Sequence, residues 1–177
     1  LDTTVPGEPF GDLSAAQLLW LDEQLAAGAD AGAGAGAGAG EHPGAGAGAG
    51  AGTRGRVRPA LVLLHHPPFA TGIQHMDACG LAPRAALALE RVIKRHPQVQ
   101  RVSAGHVHRA ISRRWAGTIA STVPSVAHAV AFDLRDDGPA AWTYEPPSIT
   151  LHHWDGDALV THQVACGNFP ARRYESY

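Results

Sequence analysis

Two short apolar runs separated by one helical pattern constrain this chain more than any other feature. Ala60–Leu64 (ALVLL) is a continuous apolar run, as expected of a strand buried on both faces. Val99–Ala104 is a second candidate of the same kind. Between them, Pro83 opens a helix that runs to about His96, with Leu87, Val92 and Ile93 apolar and Glu90 and Lys94 spaced to pair at i,i+4. Pro97 ends it. The remainder reads as β, with strands at Ile111–Trp115, Thr118–Thr122, Ala129–Leu134, Ser148–Trp154 and Ala158–Val164. Turns fall at Asp136-Asp137-Gly138 and Asp155-Gly156-Asp157. Strand, helix, strand and then a meander predicts an α/β or α+β fold with a layered core.

The start of the chain reads as a turn and then a helix. Pro6, Gly7, Pro9 and Gly11 break regular structure. Ser14 and Gln17 form a capping box, and Leu18, Leu21 and Leu25 lie on one face. Gly28 is placed to end this helix. Mostly alternating Gly-Ala follows, split into two runs by Glu41-His42-Pro43. Such small side chains bury too little apolar area to offset the entropy of ordering, so this tract is expected to be a disordered surface insertion. The organisation is therefore a helix-bearing segment (1–27), a low-complexity loop (28–55) and a globular remainder (56–177).

Among 177 residues, 14 are Lys or Arg and 16 are Asp or Glu, a formal charge of −2. That balance argues against a general nucleic-acid polymer binder. No apolar run reaches the roughly 20 residues that span a bilayer. The two cysteines, Cys79 and Cys166, make no disulfide framework, which favours a cytoplasmic protein. Histidine stands out at 11 residues, nine of them grouped rather than scattered: His65-His66, His75, His106 with His108, His128, and His152-His153 with His162.

His65 follows the first apolar run directly, and Gly105-His106-Val107-His108 follows the second. Sites in open α/β sheets form in loops at the carboxyl ends of strands. Adjacent strands would bring these ends together, and the i,i+2 spacing would put His106 and His108 on one side of an extended segment. Imidazoles converging from two strand ends suit a transition metal; an isolated histidine capping a strand is the plainer reading of each taken alone. The His152-His153 pair is expected to pack at a strand edge. Arg109, Arg113 and Arg114 read as a solvated strand face.

His65-His66-Pro67-Pro68-Phe69, then His75-Met76-Asp77, then Gly105-His106-Val107-His108 resembles the second half of a calcineurin-like metallophosphoesterase. Closer still, it is similar to bacterial class III cyclic-nucleotide phosphodiesterases and glycerophosphodiesterases. Ser121-Thr122-Val123-Pro124 with His128, and Leu151-His152-His153-Trp154, extend it over nearly the whole chain. The resemblance implies a four-layer αββα sandwich and hydrolysis of a small phosphodiester by a hydroxide bridging two divalent ions (Fe, Mn, Zn or Co). It implies that His65 and His106 hold one metal and His108 the other. His66 would support them, His128 would be catalytic near the substrate phosphate, and His75 and Asp77 would line the pocket or back the site. The family's Asp-x-His, Gly-Asp and Gly-Asn-His motifs have no usable counterpart here. With the start at Leu1, this reads as the C-terminal half of such an enzyme. The alternative is a non-catalytic remnant binding at most one metal. Exposed strand edges would favour a homo-oligomer.

Overall fold

The computed structural model describes residues 1–30 and 57–174. Three helices occur among them, α1 (Ala15–Asp30), α2 (Gln74–Asp77) and α3 (Pro83–Lys94). The strands are β1 (Ala60–Leu64), β2 (Val99–Ala104), β3 (Ile111–Trp115), β4 (Thr118–Thr122), β5 (Ala129–Val130), β6 (Trp142–Thr143), β7 (Ser148–Trp154) and β8 (Leu159–Ala165). The expected insertion at 28–55 lies almost wholly outside the described residues.

The main sheet has the order β1-β2-β4-β3. β1, β2 and β4 are parallel, and β3 runs antiparallel to β4. Register keeps the strand ends level: Leu64 pairs with Ala104, and Ala104 with Thr122. The loops after β1 and β2 therefore begin side by side.

One face of this sheet carries Val62, Leu64, Val102, Ala104 and Ala120, buried with Leu21 and Leu25 of α1 and Ala85, Leu89, Val92 and Ile93 of α3 in one cluster. The capping box forms as expected: the Ser14 amide donates to Gln17 Oε1 at 2.9 Å, and the Gln17 amide to Ser14 Oγ at 3.2 Å. The helix does not stop at Gly28 but runs on to Asp30. In α3, Leu89 rather than Leu87 enters the core; Leu87 points to water. Asp22 ties α1 to the end of α3, accepting from His96 Nε2 at 2.6 Å and Arg95 at 2.8 Å.

The opposite face corrects the expectation for ALVLL. Leu61 and Leu63 are 40% and 57% exposed, so β1 is covered on one side only among the described residues. β2 is nearly all buried, and its Arg101 lies in register with Leu61 and Ile119 on this second face. The β7–β8 hairpin comes near enough for Arg101 to act on His152. Its Asp155-Gly156-Asp157 turn is as expected, with Gly156 at φ 106° and the Asp155 carboxylate accepting the Asp157 and Ala158 amides. The strand expected over Ala129–Leu134 stops at Val130, because Phe132 and Leu134 turn outward and Asp133 clamps Arg135 locally. β5 pairs instead with β6, an element the sequence pattern did not signal.

Candidate metal centre

The site starts where β1 and β2 end. His65 is the first residue after β1, exposed and aimed across the gap between the strands. Gly105, the first after β2, packs against it: a β-carbon at Gly105 would stand 3.3 Å from His65 Nδ1. The chain then turns rather than extends. The Val107 amide donates back to the Gly105 carbonyl at 2.8 Å, and Val107 is fully buried with Ile73, Met76 and Val130. With Val107 as the anchor, His106 and His108 are forced outward in left-handed backbone, at φ 69° and 56°. The extended segment expected for this motif is thus absent, and the two rings reach different neighbours. Left-handed backbone at two non-glycine residues costs free energy and is characteristic of sites where geometry serves function.

His106 Nδ1 stands 3.3 Å from His65 Nε2. The other side of the His106 ring faces Cys79, with Sγ 3.4 Å from Nε2 and a further bond to the Cys79 backbone. His66 lies behind this pair, its ring centroid 4.7 Å from each of theirs. Candidate ligand atoms of His65, His66 and His106 all fall within 4.8 Å of one another. His66 is buried, and its Nδ1 is 2.8 Å from the Thr3 hydroxyl, which also accepts the His66 amide. The ring bonds the Pro9 backbone as well. Both sides of His66 are thus engaged by protein, whereas His65 and His106 face each other.

The electrostatics favour neutral rings. Burial first, then the neighbouring His66 and His65, push His106 down to about 4. Burial and then His65 also lower His66. Neutral imidazole is the ligating form. Imidazole nitrogens each about 2.0–2.1 Å from a shared tetrahedral ion leave a separation close to that observed between His65 and His106, so the donor pair fits a divalent transition metal.

His108 stands apart from this trio. Its Nδ1 is 3.1 Å from the His128 carbonyl, so Nδ1–H donates and Nε2 is left as the acceptor. Its ring packs on that of His128 at 4.6 Å.

No family model matches the chain. Among curated proteins, it is 34% identical over 171 residues to a probable glycerophosphodiester phosphodiesterase of Arcobacter nitrofigilis, covering 96% of this chain and 52% of that protein. It is 39% identical over 109 residues to a probable cyclic nucleotide phosphodiesterase of Rhodopseudomonas palustris, covering 61% and 39%. It is 29% identical to the 3′,5′-cyclic adenosine monophosphate phosphodiesterase of Escherichia coli over 100% of this chain and 54% of that one. The chain is a homologue of these bacterial phosphodiesterases. It spans about half the length of the curated relatives it matches.

A cavity of about 720 Å³ opens beside His108 and His128, walled by Ile73, Arg109 and Phe132. Arg109 is not the solvated residue expected from its strand. Its two terminal nitrogens donate to Glu145 Oε1 at 2.6 Å, and its guanidinium lies 5.5 Å over the Phe132 ring. Asp77 turns into its own loop, accepting from the Thr71 amide and hydroxyl at 2.7 Å and from the Gly72 amide at 2.9 Å. His75 lies half-buried on α2, and its carbonyl accepts from the Cys79 thiol.

Two members of the site escaped the sequence reading, Thr3 and Gly11. Thr3 is fully buried against His66. Gly11 bridges to Thr4 and Leu81 and lies against the Nδ1 side of His66. Both belong to a segment that reads locally as a turn before a helix, and neither carries a motif. No helix among the described residues is long and apolar enough to cross a membrane.

Proposed function

We propose that this chain contributes to a metal-dependent phosphodiesterase acting on small phosphodiesters, of cyclic-nucleotide or glycerophosphodiester type. The observation that carries the reading is the 3.3 Å approach of His106 Nδ1 to His65 Nε2 at the level ends of two parallel strands. His65 and His106 hold one divalent ion, of Fe, Mn, Zn or Co type. His108, its Nε2 left open, serves a second. His66 orients the pair through Thr3 and Pro9. His128 stands beside the substrate phosphate. His75 and Asp77 line no part of the cavity and back the site instead: Asp77 holds the Thr71–Gly72 loop, whose Thr71 does line it. Bound divalent ions supply a nucleophile from water at neutral pH and neutralise charge on the phosphate.

The same proposal covers the wider assignments. The bare Leu61 and Leu63 face is where the second sheet of a four-layer αββα sandwich would lie, with β7–β8 as part of it. The ranges 1–27, 28–55 and 56–177 are then one domain interrupted by a low-complexity segment that lies almost wholly outside the described residues. The free thiols of Cys79 and Cys166 fit the cytoplasm. Open strand edges fit association with a second copy.

One observation favours a second reading for the chain by itself. Among the described residues no carboxylate joins the His65, His66 and His106 cluster. Two cations held by histidines alone would repel each other across a short gap. By itself the chain would then bind one ion and not turn over substrate.

Metal stoichiometry decides between them. The purified chain is dialysed against Mn²⁺, Fe²⁺ or Zn²⁺, with His106→Ala in parallel. Two ions lost together in the variant would support the binuclear reading for this polypeptide. One ion, lost in the variant, would support the single-metal reading. Full retention by His106→Ala would overturn both.

A further inference from the structure

We propose that the exposed ring of Trp142, with Tyr144 standing edge-on against it, offers a stacking face for a flat heteroaromatic group, a nucleobase, on the organic side of the phosphodiester; this rests on the phosphodiester reading of the histidine site. The two residues alternate along the segment that includes β6 and so share a side of it. Pairing of Val130 with Trp142 and of Ala129 with Thr143 brings that segment beside His128.

The result is an unbroken run of rings leading out of the site. His108 meets His128 at 4.6 Å, His128 meets Trp142 at 5.7 Å, and Trp142 meets Tyr144 at 4.9 Å, all edge-on at 61–80°. The outer two rings are 59% and 79% exposed. Large aromatic rings left in water next to a site mark a surface that gains by being covered. His128 also lines the cavity, with Phe132 in its wall and exposed.

The chemistry selects the occupant. A glycerol moiety has no π-face and gains little from these rings. A nucleobase has one, and base–aromatic stacking tolerates any base. Arg109 is already committed to Glu145 and Phe132, so the free recognition elements on this side are faces of rings rather than charges.

The test compares two ligands with the same phosphate monoester, adenosine 5′-monophosphate and glycerol 3-phosphate. Each is titrated calorimetrically into the full chain with Mn²⁺. The expected result is tighter binding of the nucleotide, an advantage that falls roughly tenfold in Trp142→Ala while glycerol 3-phosphate is unaffected. Tyr144→Ala, at the most exposed ring, should give a smaller loss in the same direction. Equal affinities in the native chain, or equal weakening of both ligands by Trp142→Ala, would overturn the platform but leave the phosphate site standing. Failure of both ligands to bind would instead remove the phosphodiester reading and this inference with it. A self-association by sedimentation that Trp142→Ala abolishes would assign the rings to contact between copies, and would equally overturn the proposal.

Discussion

Gly11 lies against the Nδ1 side of the His66 imidazole, so close that a β-carbon at position 11 would overlap Nδ1 and Cγ. The two residues are far apart in sequence, and the contact forms because Gly11 bridges to Leu81 and Thr4 while Thr3 receives His66. Gly11 is not in left-handed backbone, so the constraint is space rather than φ. Gly11→Ala must push His66 off Thr3. It is expected to cost about 1–3 kcal/mol, as overpacking does, and to weaken metal uptake. Urea unfolding and equilibrium dialysis check it; an unchanged midpoint and unchanged uptake would show that the segment yields freely.

A bound ion stabilises whatever state holds it. At a free Mn²⁺ or Zn²⁺ concentration about 100 times its dissociation constant, the folded chain should gain about 2.7 kcal/mol, removable with a chelator. His65→Ala and His106→Ala should abolish that gain. Thermal melts with and without metal read it directly. A gain that persists in both variants would place the ion elsewhere.

Asp77 holds its loop through two backbone amides and one hydroxyl. Asp77→Ala leaves those donors to water and should cost about 1–3 kcal/mol. Faster amide exchange at Thr71 and Gly72 should accompany the loss. Metal uptake at His65 and His106 should be retained, because Asp77 touches neither ring. Complete loss of uptake at unchanged stability would instead give the carboxylate a direct role.

The clasp between α1 and α3 is pH-dependent. The Asp22 carboxyl is held below its usual range, first by the hydrogen bond from His96 and then by that from Arg95. A depressed carboxylate stabilises the fold above its unfolded value of about 3.9, and that contribution fades as pH falls through the folded value. Native and Asp22→Asn chains should therefore differ in Tm near neutrality, and the difference should shrink as pH falls below about 3.9. A constant difference down to pH 2 would rule out the carboxylate as its source.

Arg101 is buried with its Nε unpartnered, and Nη1 reaches only the Ser121 hydroxyl. A buried cation without a carboxylate is costly, and burial already lowers its pKa. Arg101→Met should be neutral or should raise the denaturation midpoint. A loss of several kcal/mol would mean that the guanidinium does more on this face than fill space.

Much of the architecture was legible because local chemistry decided it. The ends of β1 and β2 follow from apolar runs stopped by His65 and Gly105, β3, β4 and β7 match the segments read as β, and the Ser14–Gln17 cap follows from its spacing. The 129–134 segment was misread as one strand because its apolar residues, Phe132 and Leu134, face water instead of a sheet. β1 was misread as doubly buried because composition records how apolar a strand is, not whether anything covers its second face.

The candidate site divides in the same way. The sequence by itself determined the histidines and their attachment to strand ends, since a strand that stops at Leu64 or Ala104 must present the next residues at the sheet's edge. Only the tertiary structure decided their partners. The level register of β1 and β2 set His65 against His106, and burial of Val107 turned His106 and His108 apart. Thr3 and Gly11 reached His66 from the start of the chain, and β6 carried Trp142 to His128. These are contacts between residues distant along the chain, and they form because packing of buried apolar surface fixes where each segment can lie, which no local pattern encodes.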